Sequence, residues 1–233
     1  MSLNVQALQP RLMEMLAMQD TINKRVNPQW VAARYPFLRA VFVEGAEALD
    51  HYGWKWWKHQ SPDMAQLHME LVDIWHFAMS HSILKHEGSI QAACVDIITD
   101  LSRGSAELVL SVSDYASGQV LSQRTIFESS DARQKIEAVA GMAAMGYFSY
   151  PVFFRLMEQL ELSFDALFKM YVAKNILNLF RQDHGYQEGT YKKVWAGRED
   201  NEHLVELLVD IDFSRGGAKD VLYAGLKARY ASA

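Results

Sequence analysis

The chain has 233 residues, half of them hydrophobic and 22% charged, which is ordinary for a globular protein with a sizeable core. A formal net charge of −5 lacks the basic footprint of a general nucleic-acid binder but leaves room for a small anion in a local basic pocket. The single cysteine, Cys94, excludes a disulfide framework or a multi-cysteine zinc site and reads as a small buried hydrophobe; with no membrane-length apolar run and no signal-peptide pattern, the expectation is a cytoplasmic protein that engages neither membrane nor nucleic acid.

Helical periodicity dominates the chain. Leu8, Leu12, Met15 and Ile22 recur at three- and four-residue steps, and Asn27 and Pro28 end that first helix. Pro36 suits the first turn of a second helix running to about Gly53, with Leu38, Val41, Phe42 and Leu49 as its apolar stripe. After a Trp/Lys-rich connection, Ser61 and Pro62 mark the start of a third helix over about 63–86. Residues 89–150 suggest three helices broken near Gly104, Gly118 and residues 129–130, used for packing and subunit contact. Pro151 opens another helix, and Ser163 can N-cap the next, which reaches about Gln182. Residues 184–197 read as a Gly/Tyr/Lys-rich loop, and two amphipathic helices finish the chain. Neither strand alternation nor a fixed-period repeat is visible. The prediction is an all-α helical bundle, a single domain over 1–233.

Glu44 and Glu47 lie three apart on the second predicted helix, as do Glu70 and Asp73 on the third, and residues so spaced share a helix face. If those helices pack antiparallel, four carboxylates converge. Hard divalent cations such as magnesium take such oxygen ligands, and two of them can clamp both oxygens of a phosphoryl displacement. An E-x-x-E pair alone is usually a solvated face. Here Ala46, Leu71, Val72, Ile74, Trp75 and Phe77 crowd the acids, and buried carboxylates need metals or partners. His76 continues the row; a lone histidine there is more often a core residue with a satisfied hydrogen bond. A di-iron bundle would need two Glu-x-x-His motifs, and the chain has none.

Lys174, Asn178 and Arg181 share a face of the helix that precedes the loop, and Lys192 and Lys193 follow among Gly185, Gly189 and Gly197. By itself this is a solvated basic loop. With the acids it becomes the other half of a triphosphate site: metals bridge phosphates and the cations cover the remaining oxygens, with the loop closing over the ligand. Neither Arg181 nor Lys193 is expected in the core.

Three stretches resemble the signature regions of the dimeric, all-α dUTPases, which belong with the MazG-like all-α nucleotide pyrophosphatases. They are VEGAEALDHYGWKWWKH (43–59), ELVDIWHF (70–77) and the segment 174–201. The paired acidic motif is common to the wider group. KN-x-x-N-x-FRQ-x-x-GY-x-x-G-x-Y-x-K-x-W-x-G-x-EDN is more specific to the dUTPase branch. The resemblance covers about 1–86 and 151–215, with 88–150 matching loosely, and Ala196 stands where Asn is expected before Gly197. It implies hydrolysis of dUTP, and also of dUDP, to dUMP, with pyrophosphate released from dUTP and a metal-activated water attacking the phosphate chain. Glu44, Glu47, Glu70 and Asp73 would ligate two or more magnesium ions, and Glu47 would also orient or deprotonate the attacking water. Lys174, Asn178, Arg181, Tyr186 and Lys193 would hold phosphates. Gln19 and Asn23 would read the uracil edge or sugar, Trp57 would pack on the nucleoside, His76 would lie near the deoxyribose, and Asn201 would close the site. An obligate homodimer is implied as well. Two alternatives remain at this level: the same chemistry on another nucleotide such as dCTP, or a non-catalytic helical nucleotide-binding protein, against which the four intact carboxylates speak.

Overall fold

The structure is a computed structural model that describes residues 5–103, 111–113, 120–122, 131–211, 213 and 217–231. Helix α1 (Val5–Val26) ends just before Asn27 and Pro28, and a short helix α2 (Trp30–Ala33), not foreseen from periodicity, follows. Helix α3 (Phe37–Tyr52) starts after Pro36 and stops at Gly53. Helix α4 (Met64–Lys85) is capped one residue later than Ser61 and Pro62 suggest: the Asp63 side chain accepts from the Gln66 amide. Such a cap satisfies an otherwise orphaned donor and is worth about 1 kcal/mol.

Beyond α5 (Ile90–Arg103) the chain departs from expectation. In place of a continuous run of helices, strands β1 (Ser111–Ser113) and β2 (Val120–Ser122) pair antiparallel, Ser111 opposite Ser122. The breaks expected near Gly104, Gly118 and residues 129–130 lie outside the described residues. Helix α6 (Ala132–Ala144) follows, capped by Asp131. Helix α7 (Tyr150–Gln159) carries Pro151 in its first turn and is capped by Ser149; α8 (Phe164–Asp183) is capped by Ser163. A second small hairpin, β3 (Val194–Trp195) and β4 (Arg198–Glu199), leads through a capping box of Glu199 and Glu202 into α9 (Asp200–Val209), and α10 (Ala218–Ala231) ends the described chain. The architecture is all-α.

Helix α4 is the centre of the packing. It touches α1, α3, α5, α8 and α9, and its buried run includes Leu67, Leu71, Ile74, Trp75 and Ile83. A helix apolar on nearly every side belongs inside. Trp75 stacks on Phe153 of α7 with ring centroids 5.7 Å apart, and its indole N–H donates to Met15 Sδ at 3.4 Å. Helix α6 packs on α3 at Gly45, where a Cβ would fall 2.8 Å from that of Ala140, so only glycine allows this approach. Among the described residues, no helix is long and apolar enough to cross a membrane.

The β3–β4 turn explains why Asn is the expected residue at position 196. Ala196 has φ 49° and Gly197 φ 81°, the two positive values that a type I′ hairpin turn requires. Asn adopts this region more readily than Ala, because its short side chain hydrogen-bonds locally. Ala196→Asn should raise stability by roughly 1 kcal/mol, visible as a higher urea midpoint at unchanged slope.

Candidate active site

Helices α3 and α4 run antiparallel. At one end the Asp63 amide donates to the His51 carbonyl at 2.9 Å; further along, Glu44 and Glu70 share a hydrogen bond. This arrangement brings carboxylate oxygens of Glu44, Glu47 and Glu70 within 4.8 Å of one another. Glu70 is buried, Glu44 half-buried and Glu47 exposed. Asp73 belongs to the same face, outside that group of three, and its Oδ2 accepts from Lys174 Nζ at 2.6 Å. Burial, and after it the charge of Asp73, pushes the Glu44 carboxyl up to about 7 and the Glu70 carboxyl up to about 9. The cluster therefore holds protons where isolated carboxylates would not. Its all-oxygen donor set and its shortage of positive charge fit a hard divalent cation such as magnesium.

The opposite wall comes from α8, the 184–197 loop and the start of α9. Lys174 is buried and bridges Asp73 to Asn201, whose Oδ1 is 2.8 Å from Nζ. Arg181 is forked onto Asp200, with Nε 2.8 Å from Oδ2 and Nη2 2.7 Å from Oδ1, while Nη1 donates to Asn178 Oδ1 at 3.1 Å. Burial opposes charging either partner, yet the pairing wins: Arg181 is held above its usual range and Asp200 below. Tyr191 adds its hydroxyl to Asp200 Oδ2 at 2.7 Å, and the Asp200 amide donates to the Lys193 carbonyl at 3.0 Å. Arg181 also lies over the Tyr186 ring, 5.8 Å from its centroid. Lys193 is half-exposed and pairs with Glu199 at 2.9 Å. The loop itself is seated on aromatic rings: Tyr191 stacks on Tyr230 of α10, and the buried Trp195 lies edge-on to both Phe180 and Tyr230.

Gln19 and Asn23 come from α1 and reach the third side of the space, with His76 beside them. The His76 Nδ1–H donates to the Val72 carbonyl at 2.8 Å, and the ring lies on Tyr171 with centroids 4.2 Å apart. Burial brings its pKa down to about 4, so the ring is neutral and Nε2 is a bare acceptor with no partner among the described residues. These walls enclose a cavity of about 800 Å3, lined by every site residue expected from the sequence except Trp57. Trp57 is exposed and packs edge-on with Trp54 and Trp56.

Two expectations are corrected. Glu47 is not buried among apolar neighbours, because its side of α3 opens on the cavity. Arg181 is not a free surface cation; its side chain is only 12% exposed against a fully buried Asp200 side chain. Sequence reasoning also passed over two members. His51, four residues after Glu47 and so on the same face, places Nε2 3.4 Å from Glu70 Oε1. Asp200 lies within the quoted motif but was given no role.

A protein-family model described as dUTPase matches residues 11–186. That span takes in the α1, α3, α4 and α8 walls of the cavity and stops short of Lys193 and Asn201. No curated protein matches the chain.

Two predictions follow from the charges. Glu44 and Glu70 carry pKa values above the ordinary 4.5, so the cation-free fold binds more protons than the unfolded chain between about pH 5 and pH 9. Their contribution to stability is complete below that interval and is lost as pH rises through it. In chelator the unfolding midpoint should therefore fall from pH 5 to pH 9, and magnesium should restore it most at the alkaline end, as thermal scans across the range would show. Separately, Arg181→Ala strands the buried Asp200 charge and should cost about 3–5 kcal/mol, whereas Lys193→Ala, at a half-exposed pair, should cost about 1 kcal/mol or less; urea unfolding of both variants measures the difference.

Proposed function

The chain belongs to the all-α dUTPase family and hydrolyses dUTP, and we propose that it does so as a magnesium-dependent homodimer that forms dUMP, releases pyrophosphate from dUTP and also accepts dUDP. The observation that carries this reading is the opposition of two walls across one cavity: clustered carboxylates from Glu44, Glu47 and Glu70 on one side, Lys174, Arg181 and Lys193 on the other. A free nucleotide triphosphate needs both, since its charge exceeds what either a cation cluster or a metal pair neutralises alone.

Glu44, Glu47, Glu70 and Asp73 would hold the cations, which supply electrostatic stabilisation to the charge that develops on phosphate oxygens. Glu47, the exposed member, orients the attacking water and accepts its proton. Lys174, Asn178, Arg181, Tyr186 and Lys193 take the phosphate oxygens. Gln19 and Asn23 meet the base, and neutral His76 offers Nε2 to a donor on the nucleoside. Asn201, already tied to Lys174, closes the space between sugar and phosphates. Phe42 and Val43, about half-exposed on α3, support an apolar contact between two copies of the chain.

The test is turnover of dUTP, dUDP, dTTP and dCTP with magnesium and with excess chelator, scored as monophosphate formed and, for the triphosphates, pyrophosphate released. dUTP should exceed dTTP by roughly ten-fold or more in kcat/KM, because a close-fitting pocket rejects the added methyl. Chelation should abolish activity. Glu47→Gln should lower kcat by about 100-fold or more while leaving the unfolding midpoint in place. Full activity in chelator, or equal efficiency on dUTP and dTTP, would overturn the reading.

A further inference from the structure

Tyr230 lies on α10, outside the span that the family model matches, and lines no part of the cavity. Its ring nonetheless stands at the centre of the packing around the 184–197 loop. It stacks on Tyr191 with centroids 5.4 Å apart and planes 9° from parallel. It meets Phe180, His184 and Trp195 edge-on, at 5.5, 5.1 and 5.3 Å. Its hydroxyl oxygen accepts from the Lys192 amide at 3.3 Å. The other polar group of that residue, the Lys192 carbonyl, accepts from Trp195 Nε1 at 2.6 Å, and Trp195 is itself a neighbour of Tyr230. One side chain thus holds two consecutive loop residues, Tyr191 by the ring and Lys192 by the backbone.

Those two residues lead directly into the cation wall. The Tyr191 hydroxyl donates to Asp200 Oδ2 at 2.7 Å, and the same carboxylate forks Arg181. Lys193 comes next in the chain, and its carbonyl accepts from the Asp200 amide at 3.0 Å. Residues 191–193 are therefore held by Asp200 of α9 and by Tyr230 of α10 together. The Lys193 ammonium is a point charge on a flexible stem, so its reach is set by where its backbone is fixed.

We propose that Tyr230 is a positioning residue for the phosphate chain: it sets Lys193 and, through Tyr191, the Asp200–Arg181 pair. It has no part in meeting the base, for which Gln19 and Asn23 on α1 were proposed. This rests on the reading above that Arg181 and Lys193 take phosphate oxygens.

The experiment measures three quantities: kcat and KM for dUTP, the dissociation constant of a non-hydrolysable dUTP analogue, and competitive inhibition by deoxyuridine, which has no phosphate. The proteins are the unaltered enzyme, Tyr230→Phe, Tyr230→Ala, Tyr223→Ala and Lys193→Ala. Tyr230→Phe keeps the ring and loses the acceptor for Lys192, and should weaken analogue binding about three-fold. Tyr230→Ala also loses the ring contacts and should weaken it roughly ten-fold or more. In both, KM should rise by more than kcat falls, and inhibition by deoxyuridine should be unchanged. Tyr223 is the control: it sits on the same helix, packs on Phe180 and bonds to Asp183, with no ring contact to the loop among the described residues. Tyr223→Ala should therefore leave analogue binding in place. If Tyr230→Ala does not fold, Tyr230→Phe carries the test. Analogue binding that weakens in Lys193→Ala but holds in the Tyr230 variants overturns the role of Tyr230 and keeps the phosphate reading. Equal weakening in Tyr223→Ala, or equal loss of deoxyuridine inhibition, makes Tyr230 a packing residue only and overturns its role as well. Binding unmoved in every variant overturns the phosphate reading, and the role of Tyr230 with it.

Discussion

Like charges held close together in a partly buried place must be compensated, and the compensation shapes everything around them. Helices α3 and α4 are fixed by their apolar sides, and that packing leaves Glu44, Glu47 and Glu70 facing each other whether or not the outcome suits them. Protonation is one answer, and the raised values of Glu44 and Glu70 show it operating. The nearby cations are not the answer. Lys174 is committed to Asp73, and Arg181 to Asp200. The cation proposed above would supply positive charge from outside the chain and make the acid wall a receptor.

The cation wall follows a different logic. Its positive groups are assembled before any ligand arrives, and each is oriented by an anion or amide of the protein itself. Asp200 is the joint: it fixes Arg181 from α8, receives Tyr191 from the loop and ties its own backbone to Lys193. Such preorganisation costs folding energy in desolvation and, in the reading proposed above, would save ordering when the nucleotide binds. Because Tyr191 and Trp195 also lean on Tyr230, the seating of the loop extends to α10, which lines no part of the cavity.

Much of this was legible in the sequence because it was local. Three-residue spacings fixed the acid face, and Ser163 announced α8. What stayed hidden was whatever depended on a partner far along the chain. Arg181 sits in a polar stretch that reads as surface, and only the fold brings Asp200, nineteen residues on, beneath it. Ser80 looks like a neutral filler in an apolar helix, but its hydroxyl meets Gln19 and Asn23 of α1. Trp57 shares a signature with the acids yet stands away from them, because the turn after Gly53 carries it outward. The short strands β1 and β2 were missed because each is only three residues long, too short for apolar alternation to show.

The glycine at position 45 sits between the two glutamates of α3, on the side where α6 presses in. The acid face and the contact with the central region are thus two sides of the same helical turn. Side chains at Ala140 and Gly45 are not independent variables: a larger group at either would shift the axis of α3 and move Glu44 and Glu47 with it. Effects of substitutions in α6 on turnover should then be non-additive with changes in the acid cluster, although the two never touch. An evolutionary record of this chain would show positions 45 and 140 changing together or not at all.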